Sequence, residues 1–320
     1  MVEIGNSVAT AAEILGAGEV VAIPTETVYG LAANALNPAA AAKIFTIKNR
    51  PTFNPLIVHT SALEKIEPLV QRVPEVVHSL AKYFWPGPLT ILLPRTVRIP
   101  DIVTAGLDRV AIRVPRHPLT QQLLHTLDFP LAAPSANPFG YVSPTEALHV
   151  AEQLGEKIPY ILDGGPCEVG IESTIVGFEV GKVTVYRWGG ISKEQLEEVT
   201  GPVAEAGAMS GEAKPQASGM LKSHYAPQRE VVVGTIAELL PRYPLEKVAV
   251  LSFRSRYSMI PASHQVMLSA SGSLSEAAQK LFAALRYLDK LPVAYILAEP
   301  VPNEGLGRAI NDRLKRAAAR

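Results

Sequence analysis

The 320-residue sequence contains a single cysteine, Cys167. One cysteine excludes an internal disulfide and a zinc site made of several thiolates. The sequence reveals no acid or base that would activate Cys167 as a nucleophile. We therefore expect a small packed side chain at this position.

Long apolar runs are also absent from the sequence. No stretch is long enough to span a bilayer, and residues 1–5 lack the basic and apolar segments of an export signal. We therefore expect a cytoplasmic protein that makes no membrane contact. Hydrophobic residues form 48% and charged residues 19% of the chain, as is typical of a globular protein.

The chain has no net charge, since 30 Lys and Arg balance 30 Asp and Glu. The charges are unevenly divided, because residues 1–200 carry 15 basic and 20 acidic side chains and residues 201–320 carry 15 and 10. These net charges of −5 and +5 would let the two parts attract each other, and would let the basic part face RNA. Neither part has the arginine-rich stripe of a dedicated nucleic-acid-binding protein.

No glycine-rich Walker-type loop occurs in the sequence. In proteins that have this loop, backbone amides hold the phosphates of a nucleotide. A nucleotide site in this chain would therefore have to use side-chain cations and hydroxyl groups.

Strand-like apolar runs alternate with helical segments over residues 1–200, which indicates an α/β domain. We predict strands at 19–23, 55–58, 89–93, 109–114, 130–133, 159–162, 173–177 and 182–187, and helices near 7–16, 38–47, 61–71, 74–84, 117–127 and 144–154. Gly, Pro, Ala and Ser dominate residues 201–229, which we expect to be a linker. Residues 230–320 alternate again and predict a small Rossmann-like α/β domain, with strands at 231–233, 247–253, 265–268 and 293–297 and helices from 274 and 308.

The segment PTETVYGL at 24–31 lies between the first predicted strand and an Ala-rich, helix-prone stretch at 31–42. A polar turn there would lie at the carboxyl edge of a sheet, where open α/β folds usually bind ligands. Lys48 and Arg50 follow after one predicted helix. Alone they would be an ordinary solvated basic loop, but beside the Thr-rich turn they suit separate oxygens of a triphosphate.

Six segments together resemble a known family. They are PTETVYGLAANA, KNRPTFNPLIVH, FWPGPLTILLP, VAIRVP, APSAN and GIESTIV, which begin at residues 24, 48, 84, 110, 133 and 170. In this order and spacing they resemble the threonylcarbamoyl-adenylate synthase (YrdC-like) family over residues 8–200. The segment SGMLKSHYAP at 218–227 resembles the linker of the long form of this family, which carries an extra C-terminal domain. The resemblance implies an open twisted mixed sheet around a large cleft, followed by the smaller Rossmann-like domain.

The resemblance also implies the residues of the site. Lys48 and Arg50 would be catalytic and would bind ATP. The L-threonine pocket would consist of Thr27, His59, Arg113, Ala133 and Ser173. Further ATP contacts would come from Asn54, Ser135, Asn137, Ser143, Arg187 and Tyr225. We expect no metal ligand from the protein, because Mg²⁺ would enter with ATP, carried mainly by the phosphates.

Two of these residues also have a second interpretation on the residues alone. Arg113 interrupts an apolar strand, and a buried guanidinium needs a carboxylate partner. That partner is either a structural Glu or Asp or the carboxylate of an amino-acid substrate, and the resemblance implies the substrate. Ser143 has the position of the N-cap of the helix at 144–154, and a helix N-terminus can also bind an anion.

Other site residues have ordinary structural alternatives. His59 alone would be a satisfied core histidine, Arg187 alone would stack on Trp188, and the Ser-Ala-Asn segment at 135–137 would be a turn. Asp108 and Arg109 stand where relatives often have a hydroxyl residue, so Arg109 is not assigned to the site.

Apolar and aromatic residues cluster in the linker motif, namely Met220, Leu221, His224 and Tyr225. Such residues usually dock on another surface. The resemblance implies that this segment folds back over the cleft and acts as a lid that protects an unstable intermediate from water.

The resemblance implies a nucleotidyltransferase that joins L-threonine, bicarbonate or CO₂ and ATP to threonylcarbamoyl-adenylate and pyrophosphate. A separate tRNA threonylcarbamoyl transferase complex would use this product to modify the adenosine beside the anticodon of tRNA. Two alternatives are an RNA-binding module for double-stranded RNA or tRNA without turnover, and a carbamoyltransferase that forms a carbamoyl-adenylate. The sequence leaves open whether tRNA binds directly, what the C-terminal domain does and which oligomer forms.

Overall fold

The computed structural model of the protein describes residues 2–179, 181–207, 215–221 and 223–319. Within these residues, eleven strands form one large sheet and four form a smaller one. Residues 208–214 and Lys222, which belong to the predicted linker, lie outside the described residues.

The large sheet mixes parallel and antiparallel neighbours, in the order β1-β8-β2-β3-β7-β4-β6-β5-β9-β10-β11. Its strands are β1 (Glu3–Gly5), β2 (Val21–Ile23), β3 (Gly30–Asn34), β4 (Ile57–His59), β5 (Leu89–Pro94), β6 (Arg109–Arg113), β7 (Leu131–Ala132), β8 (Tyr160–Leu162), β9 (Thr174–Glu179), β10 (Lys182–Arg187) and β11 (Ala204–Glu205). Each strand predicted in residues 1–200 is present, and the large twisted mixed sheet confirms the α/β prediction.

The smaller sheet is entirely parallel, in the order β12-β15-β13-β14. Its strands are β12 (Glu230–Val233), β13 (Val248–Ser252), β14 (Gln265–Met267) and β15 (Tyr295–Ala298). A parallel sheet with helical crossovers confirms the Rossmann-like prediction.

Helices cover the sheets and connect their strands. They are α1 (Val8–Gly16), α2 (Pro38–Lys48), α3 (Glu75–Phe84), α4 (Asp101–Thr104), α5 (Pro118–Thr126), α6 (Ala147–Leu154), α7 (Lys193–Thr200), α8 (Ile236–Leu239), α9 (Leu274–Asp289) and α10 (Gly307–Ala318). The helix predicted at 61–71 is a 3₁₀ helix over Leu63–Leu69, with Pro68 inside it. Because Pro68 has no backbone N–H, it favours this short element over a regular α-helix.

The helix-prone stretch at 31–42 begins as the strand β3, and the predicted helix at 38–47 follows it as α2. β3 pairs antiparallel with β2, and the polar segment joins these two strands. Leu31, Ala32 and Ala33 are fully buried in the sheet. Tertiary burial therefore overrides the helix propensity of alanine.

Ser143 does not cap a helix, so the prediction that it is the N-cap of the helix at 144–154 is wrong. The helix starts later, at Ala147, with Glu146 in the N-cap position. Ser143 lies in the extended segment before it, and the carbonyl of the neighbouring Pro144 accepts a bond from Tyr29 N–H at 2.9 Å. This bond holds the segment against the loop between β2 and β3, which contains Tyr29.

The C-terminal part packs directly on the first part of the chain. Gly170 has φ +75°, and a Cβ on it would lie 2.4 Å from the Cα of Gln279 in α9. Only glycine allows the two backbones to approach so closely. Ile171 and Val142 join the same apolar cluster as Phe282 of α9. One core is therefore shared across the boundary.

Candidate active site

The loop between β2 and β3 is ordered by the hydroxyl of Thr25. Its Oγ1 accepts bonds from Thr27 N–H and Val28 N–H and donates to the carbonyl of Val28 at 2.7 Å. These bonds between the Thr25 side chain and the loop backbone take the place of strand pairing, because the loop residues belong to no strand. It turns Thr27 toward a pocket on the large sheet.

All five residues assigned to the L-threonine pocket line this cavity: Thr27, His59, Arg113, Ala133 and Ser173. The sheet register explains two of them, because His59 and Arg113 are direct partners on the parallel strands β4 and β6. Ala133 follows β7, which pairs with β4. Residues far apart in the sequence therefore meet on one face of the sheet.

Arg113 has a carboxylate partner within the chain. Its Nη2 lies 2.7 Å from Oε1 of Glu26, and both side chains are almost completely buried. The contact is a close ion pair that is not aligned as a hydrogen bond. Nη1 donates to Thr27 Oγ1 at 2.9 Å and Nε donates to the carbonyl of Gly87 at 3.2 Å. The structural alternative for Arg113 is therefore present, and the guanidinium also orients the Thr27 hydroxyl.

His59 is a neutral group in this pocket. Burial, reinforced by the positive charge of Arg113, lowers the pKa of His59 to about 3. Its Nδ1 lies 3.2 Å from the carbonyl of Ile57. At neutral pH the ring can therefore accept or donate a hydrogen bond without adding charge.

Arg50 and Arg187 supply positive charge to the same pocket. Arg50 donates to the carbonyl and side chain of Asn54 and to the carbonyl of Pro55. Arg187 donates through Nε and Nη2 to the carbonyl of Ser173, at 3.1 and 2.8 Å. The expected stacking of Arg187 on Trp188 is replaced by these bonds. Asn54 thus lies behind Arg50, outside the lining residues.

Lys48 lies behind the pocket wall and is not among its lining residues. Its Nζ donates to the carbonyl of Ser135 at 2.5 Å and also to the carbonyl of Asn137. Burial and the nearby charge of Arg50 lower the pKa of Lys48 well below its ordinary value. In this structure the side chain holds the APSAN segment, and Ser135 of that segment lines the pocket.

Asn137 and Ser143 also lie outside the lining residues. Asn137 donates to the carbonyls of Pro138 and Tyr141, both at 2.8 Å, and so shapes the turn after the APSAN segment. The hydroxyl of Ser143 donates to Oε1 of Glu172 at 2.6 Å. Glu172 does line the pocket, so Ser143 acts on the site through this carboxylate.

The linker reaches into the cavity beside the two arginines. Ser218 accepts from Arg50 Nη2 through its hydroxyl at 3.2 Å and from Arg187 Nη1 through its carbonyl at 3.1 Å. Tyr225 is buried with φ +64° and lines the pocket. Among the described residues its hydroxyl has no hydrogen-bond partner. The linker position agrees with a segment folded over the cleft.

Positive charge dominates the pocket and the shell just behind it. Among the described residues, the cations there are Lys48, Arg50, Arg113, Arg187 and Arg313, and the carboxylates are Glu26, Glu172 and Asp312. An excess of buried cations is costly without anions nearby, so this arrangement favours an anionic ligand.

The sequence missed several residues of the site, including Glu26, which pairs with Arg113, and the lining residues Thr25, Glu172 and Ser218. Glu26 and Glu172 stand beside expected pocket residues, within PTETVYGL and GIESTIV. A carboxylate inside an apolar motif is the signal that could have revealed them. Ser218 carried no such signal.

Two further features concern membranes and metals. None of the helices in the described part of the chain combines the length and apolar character needed to cross a bilayer. Within the same residues, no group of three or more His, Cys, Asp or Glu side chains is placed to hold a metal ion.

Two family models match adjacent parts of the chain. The Sua5/YciO/YrdC model, described as "Telomere recombination", matches residues 13–189. The Sua5 C-terminal model, described as "Threonylcarbamoyl-AMP synthase, C-terminal domain", matches residues 191–319.

Relatives match over almost the whole chain. The threonylcarbamoyl-AMP synthase of Pyrococcus abyssi is 40% identical over 321 residues, covering 96% of this chain and 93% of the relative. The Bacillus subtilis enzyme of the same name is 42% identical over 320 residues, covering 97% and 92%. The crystal structure of P. abyssi Sua5 complexed with L-threonine superposes with a TM-score of 0.92 at 39% identity, covering 99% of this chain and 97% of that one. The chain therefore belongs to the Sua5/YrdC family, in the form that carries the Sua5 C-terminal domain.

Proposed function

We propose that this protein is an L-threonylcarbamoyladenylate synthase. It condenses L-threonine, bicarbonate or CO₂ and ATP to threonylcarbamoyl-AMP and pyrophosphate. The observation that carries the proposal is the full-length similarity to a Sua5 structure with L-threonine bound, together with a pocket lined by the five residues assigned to threonine.

The threonine end of the pocket has the chemistry that an amino acid requires. Arg113 and the Thr27 hydroxyl offer donors to a carboxylate, although Arg113 already neutralises Glu26. The neutral His59 ring and the Ser173 hydroxyl offer uncharged polar contacts. Apolar Ala133 and Ile57 complete the lining and suit a side-chain methyl group.

The nucleotide end has the chemistry that a triphosphate requires. Arg50 and Arg187 both contact Ser218, and phosphate oxygens are stronger acceptors than the hydroxyl and carbonyl of Ser218. Ser135 contributes a hydroxyl to the lining. Asn54, Asn137, Ser143 and Lys48 act behind this surface, and direct ATP contact by these four stays a prediction.

The proposed reaction has two steps. The threonine amino nitrogen attacks CO₂ and loses a proton, which gives a carbamate. A carbamate oxygen then attacks the α-phosphorus of ATP as the bond to the β-phosphate oxygen breaks, and pyrophosphate leaves. The protein's share is to bring the two ligands together and to stabilise negative charge with Arg50 and Arg187.

Mg²⁺ fits this scheme as a companion of ATP. In the pocket, Glu172 is already engaged by Ser143 and Arg313 through both oxygens, so phosphate oxygens and water are the better ligands. Bound there, the metal would neutralise phosphate charge. Arg50 and Arg187 hold the remaining oxygens, and the linker limits the access of water to the adenylate.

The product would be consumed by a transferase that moves the threonylcarbamoyl group to tRNA. A mixed anhydride of a carbamate and AMP loses its acyl group readily to water, so rapid transfer to the next enzyme is expected. A cytoplasmic location and contact with tRNA stay predictions.

The proposal is tested by incubating the purified protein with ATP, Mg²⁺, bicarbonate and each amino acid in turn. Mass spectrometry should detect threonylcarbamoyl-AMP and pyrophosphate with threonine, and no adenylate when bicarbonate is removed. Carbamoyl phosphate in place of threonine and bicarbonate tests the carbamoyltransferase alternative. Salt-sensitive RNA binding without turnover would instead support the RNA-binding module.

A further inference from the structure

Helix α10 of the C-terminal part turns a charged residue toward the active site. Its buried face consists of Ala309, Ile310, Arg313, Leu314 and Ala317. These positions share one side of an α-helix. Arg313 therefore occupies an apolar-face position, and its side chain has no exposed surface.

The guanidinium of Arg313 connects three parts of the molecule. Nε donates to Oε2 of Glu172 at 2.9 Å, and Nη2 donates to the carbonyl of Trp188 at 2.9 Å. Its central carbon lies 5.0 Å from the ring centroid of Tyr225, within the range of a cation–π contact. Nη1 donates to Asp312 at 2.8 Å. Arg313 thus contacts the pocket wall and the linker at the same time.

Glu172 is the pocket residue that depends most on Arg313. Its other oxygen accepts from the Ser143 hydroxyl at 2.6 Å, and the residue lines the cavity. Burial would raise the pKa of Glu172, but the charges of Arg313 and Arg187 and the bond from Ser143 outweigh burial and lower it. The next residue, Ser173, accepts both bonds from Arg187. Holding Glu172 therefore holds the peptide that orients Arg187.

The packing around this peptide leaves little room for adjustment. A Cβ on Gly189 would lie 2.2 Å from the carbonyl oxygen of Glu172. The turn that carries Trp188 and Gly189 is thus pressed against residues 172–173. Arg313 bonds to both sides of this contact, through Trp188 and Glu172.

The same helix also holds the linker next to Tyr225. Arg316 donates to the carbonyl of Leu221, and its own carbonyl accepts from His224 N–H at 3.3 Å. Tyr225 has a left-handed backbone conformation, which a non-glycine residue keeps only when its surroundings fix it. Helix α10 supplies part of those surroundings.

We propose that Arg313 is a positioning residue for the reaction, through which the C-terminal domain sets the geometry of Glu172 and Tyr225 in the active site. The inference rests on the proposed function and adds a role for the C-terminal domain. Arg313 does not line the pocket, so it acts through these two residues. The C-terminal domain is then a structural part of the catalytic site.

The test measures kcat and the KM values for threonine and ATP by pyrophosphate release. The variants are Arg313→Gln, Arg313→Lys, Glu172→Gln and the double variant Arg313→Gln/Glu172→Gln. The matched control is Arg308→Gln, which removes an ion pair between α10 and Glu194. That pair crosses the same boundary, but neither residue lines the active-site pocket. Thermal unfolding and circular dichroism show which variants are folded.

We expect Arg313→Gln to lower kcat by about 10- to 100-fold, the range produced by small displacements of catalytic groups. The KM for threonine should rise as well, because Glu172 directly precedes Ser173, which lines the threonine pocket. Arg308→Gln should behave like the wild-type protein. The kcat of Arg313→Lys should lie between the values of Arg313→Gln and the wild type. Lysine keeps the positive charge but lacks the forked guanidinium that bonds to Glu172 and Trp188 together.

The double variant separates coupled from independent effects. If Arg313 acts through Glu172, kcat of the double variant will be no lower than that of the worse single variant. Losses that multiply would overturn the inference, and so would a folded Arg313→Gln protein with kcat within about twofold of Arg308→Gln. If Arg313→Gln does not fold, Arg313→Lys decides in the same way. A wild-type protein that forms no threonylcarbamoyl-AMP would instead contradict the proposed function.

Discussion

Glu26 Oε1 lies 2.7 Å from Nη2 of Arg113, a residue that lines the pocket, and both side chains are almost fully buried. The carboxylate partner that Arg113 requires is therefore supplied by the chain itself. Thr27 Oγ1 accepts from the same guanidinium, so the pair also fixes a hydroxyl at the threonine end. A substrate carboxylate would join this pair rather than replace it.

Arg113→Ala should lower the free energy of unfolding by about 3–5 kcal/mol, because it leaves Glu26 buried without its partner. It should also raise the KM for threonine more than the KM for ATP. Denaturant unfolding and steady-state kinetics measure the two effects. Arg116→Ala is the control, since its ion pair with Glu168 is exposed and should contribute less than about 1 kcal/mol. Equal stability of the two variants would contradict this role of Arg113.

Arg50 and Lys48 are separated by one residue and both donate to buried carbonyls, but of the two Arg50 alone lines the pocket. Arg50→Ala should abolish pyrophosphate release because Arg50 lines the nucleotide end. Lys48→Ala should also lower the free energy of unfolding by about 1–3 kcal/mol, because the buried carbonyls of Ser135 and Asn137 lose their donor. Both are measured by kinetics and denaturant unfolding. Unchanged pyrophosphate release in Arg50→Ala would remove this residue from the site.

Tyr225→Phe isolates one hydroxyl group. Within the described residues this hydroxyl is buried without a partner, so its removal should not lower the free energy of unfolding. If the hydroxyl binds the nucleotide, the variant should raise the KM for ATP by about 5- to 30-fold, which corresponds to one hydrogen bond. Thermal unfolding and kinetics test both parts. An unchanged KM for ATP would show that the hydroxyl does not contact the nucleotide.

The lowered pKa of His59 predicts that the free energy of unfolding depends on pH. Its pKa is about 3 in the folded protein, against an ordinary value of 6.5. The unfolded chain therefore binds a proton at a higher pH than the folded protein does. The stabilising contribution is fully present above pH 6.5 and decreases as the pH falls toward 3.

Between pH 7 and pH 5, His59 should account for about 2 kcal/mol of lost stability. Denaturant unfolding of the wild type and His59→Gln at both pH values measures this contribution. The difference between the two proteins should shrink as the pH falls. A constant difference would mean that His59 takes up a proton equally well in both states.

Much of the fold follows from the sequence because its signals are local. Asn37 accepts bonds from Ala39 N–H and Ala40 N–H, as its position before Pro38 predicts. Ser273 likewise caps α9 through Glu276 N–H. Apolar runs of about five residues were enough to predict eight strands of the large sheet, but not β1, β3 and β11.

Two missed strands, β1 and β11, depend on pairing with a strand elsewhere in the chain. β1 is a short strand that exists because it pairs with β8, more than 150 residues later. β11 lies in the predicted linker and exists because it pairs with β10. Neither contains enough apolar residues to stand out from its surroundings.

The sequence predicted the site residues that lie in recognisable motifs. It did not predict Arg313, whose charged side chain is buried. Three residues of the threonine pocket, His59, Arg113 and Ala133, meet through the register of β4, β6 and β7, and the resemblance implied that they share a pocket. Arg313 lies in the last helix, which is strongly basic. Its spacing from the apolar Ile310 and Leu314 places Arg313 on the apolar face of the helix. This spacing is the sequence signal that could have revealed its burial.

The central claim is that one pocket brings threonine and the triphosphate together. A crystal structure of the protein with L-threonine, bicarbonate and a non-hydrolysable ATP analogue tests it most directly. We expect threonine against Thr27 and Arg113, phosphate oxygens on Arg50 and Arg187, and the carbamate oxygen within about 3–4 Å of the α-phosphorus. Either ligand bound outside this pocket, or the two bound too far apart to react, would contradict the account.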